Sequence, residues 1–143
     1  IDPLLASKIV WLDAFITNID RTAKNTNLLW WNKELWIIDN GSSFYFHHIW
    51  KNFDNAAKSP FSYVKDHVLL SQASMLVEAD AYAHSILNEQ VFREIVNQIP
   101  DEWLNWEDAA ENAAEIREVY YQFLTTRLKH SSIFLNEARH ARG

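Results

Sequence analysis

The 143 residues make one domain's worth of chain, long enough to bury a core without disulfides or structural metal. Hydrophobic residues at 48% and charged residues at 22% exclude a disordered tail or a fibrous repeat, and the absence of Cys excludes disulfide scaffolds, Cys-bound zinc, iron–sulfur clusters and thiol catalysis. Two glycines and three prolines are too few for an all-β sandwich or barrel, and a net charge of −6 argues against a nucleic-acid-binding surface. No apolar run reaches the roughly 20 residues that span a bilayer, and no signal peptide is visible. A cytoplasmic protein that engages neither membrane nor nucleic acid is therefore expected. The sequence opens on Ile1 rather than Met, which suggests a fragment.

Residues 3–17 read as a helix with Leu5, Ile9, Leu12 and Ile16 as its apolar stripe. Trp11 and Phe15 lie on an adjoining face, and Pro3 suits a first helical turn. Residues 18–27 are polar and read as a loop. Residues 28–38 read as a β-hairpin turning at Asn32 and Lys33. Residues 42–62 are aromatic-rich and aperiodic, an ordered irregular segment in which Phe44, Phe46 and Trp50 need packing partners. From about 64 to 98 one or two amphipathic helices are expected, with Val68, Met75, Leu76, Ala79, Ile86, Leu87 and Ile95 on the apolar side. Pro100 and Asp101 interrupt, and Trp103, Leu104 and Trp106 make an aromatic corner. A final long helix follows, capped by Asp108, with Ile116, Val119, Tyr120, Phe123, Leu124 and Leu128 as its stripe.

The chemistry concentrates in the polar loop and the hairpin after it. With a turn at Asn32 and Lys33, Asn25 and Asp39 fall opposite each other to within one residue at the open end. Directly opposed residues have Cβ atoms about 4.5–5.5 Å apart, so two oxygen-bearing side chains there can grip one hard cation. Magnesium fits, because it takes oxygen ligands and is commonly held by one or two protein groups plus substrate phosphates. Asp20 starts the same loop, within reach of a reacting hydroxyl that it can orient or deprotonate. An Asp, an Asn five residues later and a metal-binding Asp after a short hairpin form the phosphoryl-transfer arrangement. Lys24 and Arg21 add positive charge near the phosphates in this reading.

These residues also carry a resemblance. Trp11-Leu12-Asp13-Ala14-Phe15-Ile16-Thr17-Asn18-Ile19-Asp20-Arg21, then Asn25-Thr26-Asn27-Leu28-Leu29 and Leu35-Trp36-Ile37-Ile38-Asp39-Asn40-Gly41, resemble the C-terminal lobe of HipA-like kinases, and more distantly the Asp-Arg-His loop of phosphoinositide kinases. The likeness is strongest over 11–50 and continues more weakly through Ile99–Leu104 and Arg127-Leu128. It implies a mainly α fold with a small β-hairpin, the helical C-terminal lobe of a protein-kinase-like fold, as a single domain over 1–143. It implies ATP and magnesium as cofactors, Asp20 as the catalytic Asp, and Asn25 and Asp39 as metal ligands. Thr22 departs from the pattern, standing where these relatives carry His, and Asn40 replaces the usual aromatic after the metal Asp. The implied partners are an N-terminal lobe, absent here together with its glycine-rich loop, and a hydroxyl acceptor on a protein Ser or Thr or on a small molecule. Alone, such a lobe should fold yet bind ATP and magnesium weakly and be nearly inactive.

Plainer readings stand beside these. Asp20, Asn25 and Asp39 are also ordinary turn formers. Asn18 and Asn27 suit structural roles in the loop, and Asp13 a solvated, capping or catalytic one. Adjacent His47 and His48 diverge on a strand and share no metal; His67 and His84 show no ligand spacing. Trp30, Trp31 and Trp36 suit core or lobe-interface packing, with exposed ones marking the face toward the other lobe. Glu107, Asp108, Glu111 and Glu115 read as a solvated helix face. The competing function is a non-catalytic helical interaction module derived from a kinase fold.

Overall fold

The computed structural model describes residues 1–44, 52–104 and 112–143. Its α-helices are α1 (Pro3–Phe15), α2 (Phe53–Ala57), α3 (Leu76–Ile86), α4 (Glu89–Asn97), α5 (Ala113–Lys129) and α6 (Ser131–Arg142). One antiparallel hairpin, β1 (Leu28–Trp31) and β2 (Glu34–Ile37), follows α1. Short 3-10 turns lie at Ser62–Asp66, Leu70–Gln72 and Asp101–Leu104.

Local chemistry sets the first helix. The carboxylate of Asp2 accepts from the Leu5 N–H at 3.0 Å, and Pro3 opens the first turn. The helix stops where Thr17 turns left-handed, at φ 54°, and the Asn18 N–H reaches back to the Asp13 carbonyl at 2.8 Å. Between these ends α1 is buried around most of its circumference, by Ala6, Ile9, Val10, Trp11, Ala14 and Phe15. Leu5 and Leu12, expected on the buried stripe, instead edge the solvent at 38% and 37% exposure. A helix enclosed on nearly all sides has apolar residues everywhere, so its period points poorly to one face.

Aromatic packing around α1 forms the core. Trp11 stacks on Phe15 at 5.0 Å between ring centroids and meets Phe134 edge-on at 5.4 Å, while Phe15 stacks on Phe92 at 5.8 Å. Trp11 Nε1 donates to Asp80 Oδ1 at 2.8 Å, which ties α1 to α3. Phe44 finds its partner on α5, edge-on against Tyr120 and Phe123. Phe46, Trp50, His47 and His48 lie outside the described residues, as do Trp106, Glu107, Asp108 and Glu111.

Several expectations change. Helix α2 interrupts the segment expected to be irregular. The stretch after 64 is not yet α-helical; 3-10 turns run to Gln72, and α3 starts at Leu76. Contacts with α1 and the loop hold that stretch: Thr22 and His67 form an antiparallel bridge, and the Met75 N–H donates to Ser7 Oγ at 2.9 Å. Ile86 and Ile95, expected in the core, are half exposed on the outer sides of α3 and α4. Asn112 caps α5, accepting from the Glu115 N–H at 3.0 Å, and the final helix divides at His130 into α5 and α6.

A buried guanidinium joins four segments. Arg127 Nε donates to the Phe15 carbonyl at 3.0 Å and Nη2 to Ala14 at 2.6 Å. Nη1 donates to Ala57 at 3.0 Å and Ser59 at 2.7 Å, and the ring of Phe134 covers the group. Carbonyls at and just beyond the C-terminal ends of α1 and α2 are satisfied this way. Burial pushes the Arg127 pKa down to about 10. Arg127→Met should cost at least about 3 kcal/mol in urea unfolding, since it strands several buried acceptors. Leu12→Gln should cost under about 1 kcal/mol in the same measurement, as befits a surface edge.

Candidate active site

The hairpin obeys the expected register: Leu28 faces Ile37, Leu29 faces Trp36, Trp30 faces Leu35 and Trp31 faces Glu34. Asn32 and Lys33 both take positive φ, 49° and 67°, the requirement of a type I′ turn. Leu28, Leu35 and Ile37 lean on the core. The opposite face carries Leu29, Trp31, Trp36 and Ile38 into solvent, with Trp31 at 66% exposure. Core packing of Trp30, Trp31 and Trp36, one of the two readings of their bulk, is therefore corrected; all three are exposed. A two-stranded ribbon with one supported face has no second layer to cover the other.

The loop before the hairpin is closed by reciprocal backbone bonds between Thr22 and Asn25, at 3.0 and 3.1 Å. Asp20 is fixed three ways. Its N–H donates to Asn18 Oδ1 at 3.2 Å, its carbonyl accepts from Asn27 Nδ2 at 2.9 Å, and its Oδ2 accepts from Asn25 Nδ2 at 3.0 Å. Asp20 and Asn25 thus stand together. Asp39 follows β2 with φ 50°, a left-handed conformation that Asp reaches at a modest cost. Its exposed carboxylate makes no hydrogen bond or ion pair among the described residues. No hydrogen bond joins Asp39 to Asn25 or Asp20 among those residues; loop and strand end meet one residue away, where the Ile38 N–H donates to the Asn27 carbonyl at 3.0 Å. Lys24 is exposed on the loop.

Arg21 adds a side-chain tie between loop and strand end, and its place is a second correction. Far from lending charge to a solvent-facing site, Arg21 is 1% exposed. Nε donates to Asp13 Oδ2 at 2.5 Å, and Nη2 to Asp13 Oδ1 at 3.2 Å and Asn40 Oδ1 at 2.6 Å. Nη1 donates to the carbonyls of Asn27 at 2.6 Å and Ile38 at 3.4 Å. Asp13, which a surface helix would leave solvated, is fully buried. It also accepts from Asn18 Nδ2 at 3.1 Å and from His67 Nε2 at 2.8 Å. The Leu69 N–H donates to His67 Nδ1 at 3.0 Å, so Nε2 carries the proton directed at Asp13. Burial would raise the Asp13 pKa; hydrogen bonds from His67 and Arg21 and the charge of Arg21 outweigh it and hold the carboxyl below its usual value.

Asp13, Arg21 and His67 were not assigned these roles from sequence. One signal was present: Asp13 lies one turn after buried Ile9 and Val10 and two turns after Ala6, on the inner side of α1. No local pattern pointed to His67, which arrives 54 residues later.

The donor set suits a hard cation. Asn25 Nδ2 is spent on Asp20, so the amide oxygen of Asn25 and the Asp39 carboxylate are the hard oxygen donors in question. No cluster of three or more His, Cys, Asp or Glu that could hold a metal occurs among the described residues.

The model of the HipA-like kinase family matches residues 1–133. The chain belongs to the HipA-like kinase family. No curated protein and no solved structure matches it significantly. Its mainly helical architecture with one small hairpin is that of a kinase-like C-terminal lobe. Thr22, which stands where the relatives named above carry His, is bridged instead to His67 from a separate segment. No helix among the described residues is long and apolar enough to cross a membrane.

Asp13→Asn removes the carboxylate from a buried guanidinium and should cost about 3–5 kcal/mol in urea unfolding. Because the Asp13 pKa is lowered in the fold, its contribution is complete above the ordinary value of 3.8 and is lost as pH falls through the lower folded value. Below pH 3.8 the wild-type unfolding free energy should fall more steeply with acidity than that of Asp13→Asn.

Proposed function

We propose that residues 1–143 form one domain, the catalytic-loop lobe of an ATP- and magnesium-dependent phosphotransferase acting on a hydroxyl, that of a protein Ser or Thr or of a small molecule. The observation that carries this reading is the Asp20–Asn25 hydrogen bond inside a loop that Arg21 ties to both sides of Asp39. Membership of a kinase family supports it. A cytoplasmic location fits this use of ATP.

Asp20 receives the acceptor hydroxyl. Its Oδ2 is engaged by Asn25, which leaves the other oxygen to orient that hydroxyl and take its proton. Asn25 and Asp39 would hold magnesium, and Lys24 lies on the loop beside the phosphates. When bound, the metal neutralises charge on the transferring phosphoryl group. The protein's own work is then mostly positioning, which a few well-tied side chains can accomplish.

Residues 1–143 contain no glycine-rich phosphate loop, since Gly41 and Gly143 are their only glycines. Another lobe must cover the nucleotide, and these residues alone should bind it weakly and transfer little phosphate. In the full natural chain, Asp20→Ala and Asp39→Ala should each lower phosphate transfer by at least about 100-fold in a radiolabel assay. If both variants match wild type, the non-catalytic interaction module is the better reading.

A further inference from the structure

The most heavily bonded polar group near the site is one that the proposed chemistry does not use. The Arg21 guanidinium has five N–H bonds, and each has an acceptor. Two go to Asp13 on α1, one to the loop exit at Asn27, and two to Ile38 and Asn40. Ile38 and Asn40 flank Asp39 on both sides, and Arg21 itself adjoins Asp20. Asp13 is equally occupied, accepting four hydrogen bonds on its two oxygens. His67 completes the set with both ring nitrogens engaged.

A buried ion pair is a weak source of stability compared with apolar packing of the same volume. What this one supplies is direction: three of its five donors end on the chain around Asn25 and Asp39. Asp39 sits in a left-handed conformation, which Asp adopts at a modest cost. An outside tie on either side of it holds that conformation in place.

We propose that Asp13 and His67 are positioning residues: by holding Arg21, they fix the loop of Asp20 and Asn25 against the strand end that carries Asp39. Neither touches a reacting atom. The inference rests on the phosphotransfer reading, and it extends the site inward to α1 and to the segment after α2.

The test uses the full natural chain and the dissociation constant of magnesium with a non-hydrolysable ATP analogue, measured by calorimetry. The magnesium concentration giving half-maximal phosphate transfer is measured alongside. Arg21→Lys and His67→Leu should each weaken magnesium–nucleotide binding by about 10-fold or more, as loss of a group that orients metal ligands does. His67→Gln, which keeps a donor near the position of Nε2, should stay within about 3-fold of wild type. A purely structural role would instead lower the folded fraction and leave the affinity of the folded molecules unchanged; that result overturns the proposal. Asn40→Ala, at an exposed position, cuts the same link without opening the core and serves where His67→Leu does not fold. It should weaken binding several-fold, and an unchanged affinity would again overturn the proposal. A wild-type chain that neither binds magnesium–nucleotide nor transfers phosphate sinks the phosphotransfer reading itself, and this inference with it. Wild-type binding beside unchanged variants sinks this inference alone.

Discussion

The geometry around the candidate site depends on one buried charge and its neutralisation. The Arg21 guanidinium is buried, which puts a positive charge in the interior beside the loop. A carboxylate aligned on its fork offsets that charge, and Asp13 meets it with both oxygens. Asp13 holds that place because α1 turns sharply at Thr17, bringing the loop back over the helix it has just left. Helix ending, loop path and hairpin exit are thus consequences of one electrostatic constraint, with His67 closing the remaining side.

The second buried arginine meets the same problem differently. Arg127 has no carboxylate; four carbonyls receive it, and its pKa is pulled down to about 10 by burial. The negative ends of two helices partly offset its charge. Arg127 gathers the back of the domain, where α1, α2 and α5 meet. Arg21 gathers the loop and the hairpin exit, where the carbonyls of Asn27 and Ile38 accept from it.

Features written in neighbouring residues were legible from sequence. The hairpin announced itself by Asn at a tight turn between aromatic runs, and its register followed from that turn alone. The polar loop and the family likeness lay in the same contiguous block. The stripe on α1 was misread because burial on nearly every side erases periodicity, leaving Leu5 and Leu12 no different from Ile9. The stretch around His67 read as helix because its apolar spacing is helical, whereas contacts to Asp13 and Thr22 hold it in short turns. Asp13 and Arg21 looked like surface charges because each finds its partner only after the chain has folded back. Long-range pairing of this kind leaves no local pattern to read.

The solvent side of the hairpin has an optical consequence. Indole emission shifts to longer wavelength in water, and Trp31 and Trp36 stand in water on the face that ends at Ile38, next to Asp39. Trp11, enclosed by Phe15 and Phe134, emits from the opposite kind of surroundings. Among the described residues the indoles therefore fall into two fluorophore classes, buried Trp11 and an exposed set in which Trp30, Trp31 and Trp36 of the hairpin emit beside Trp103.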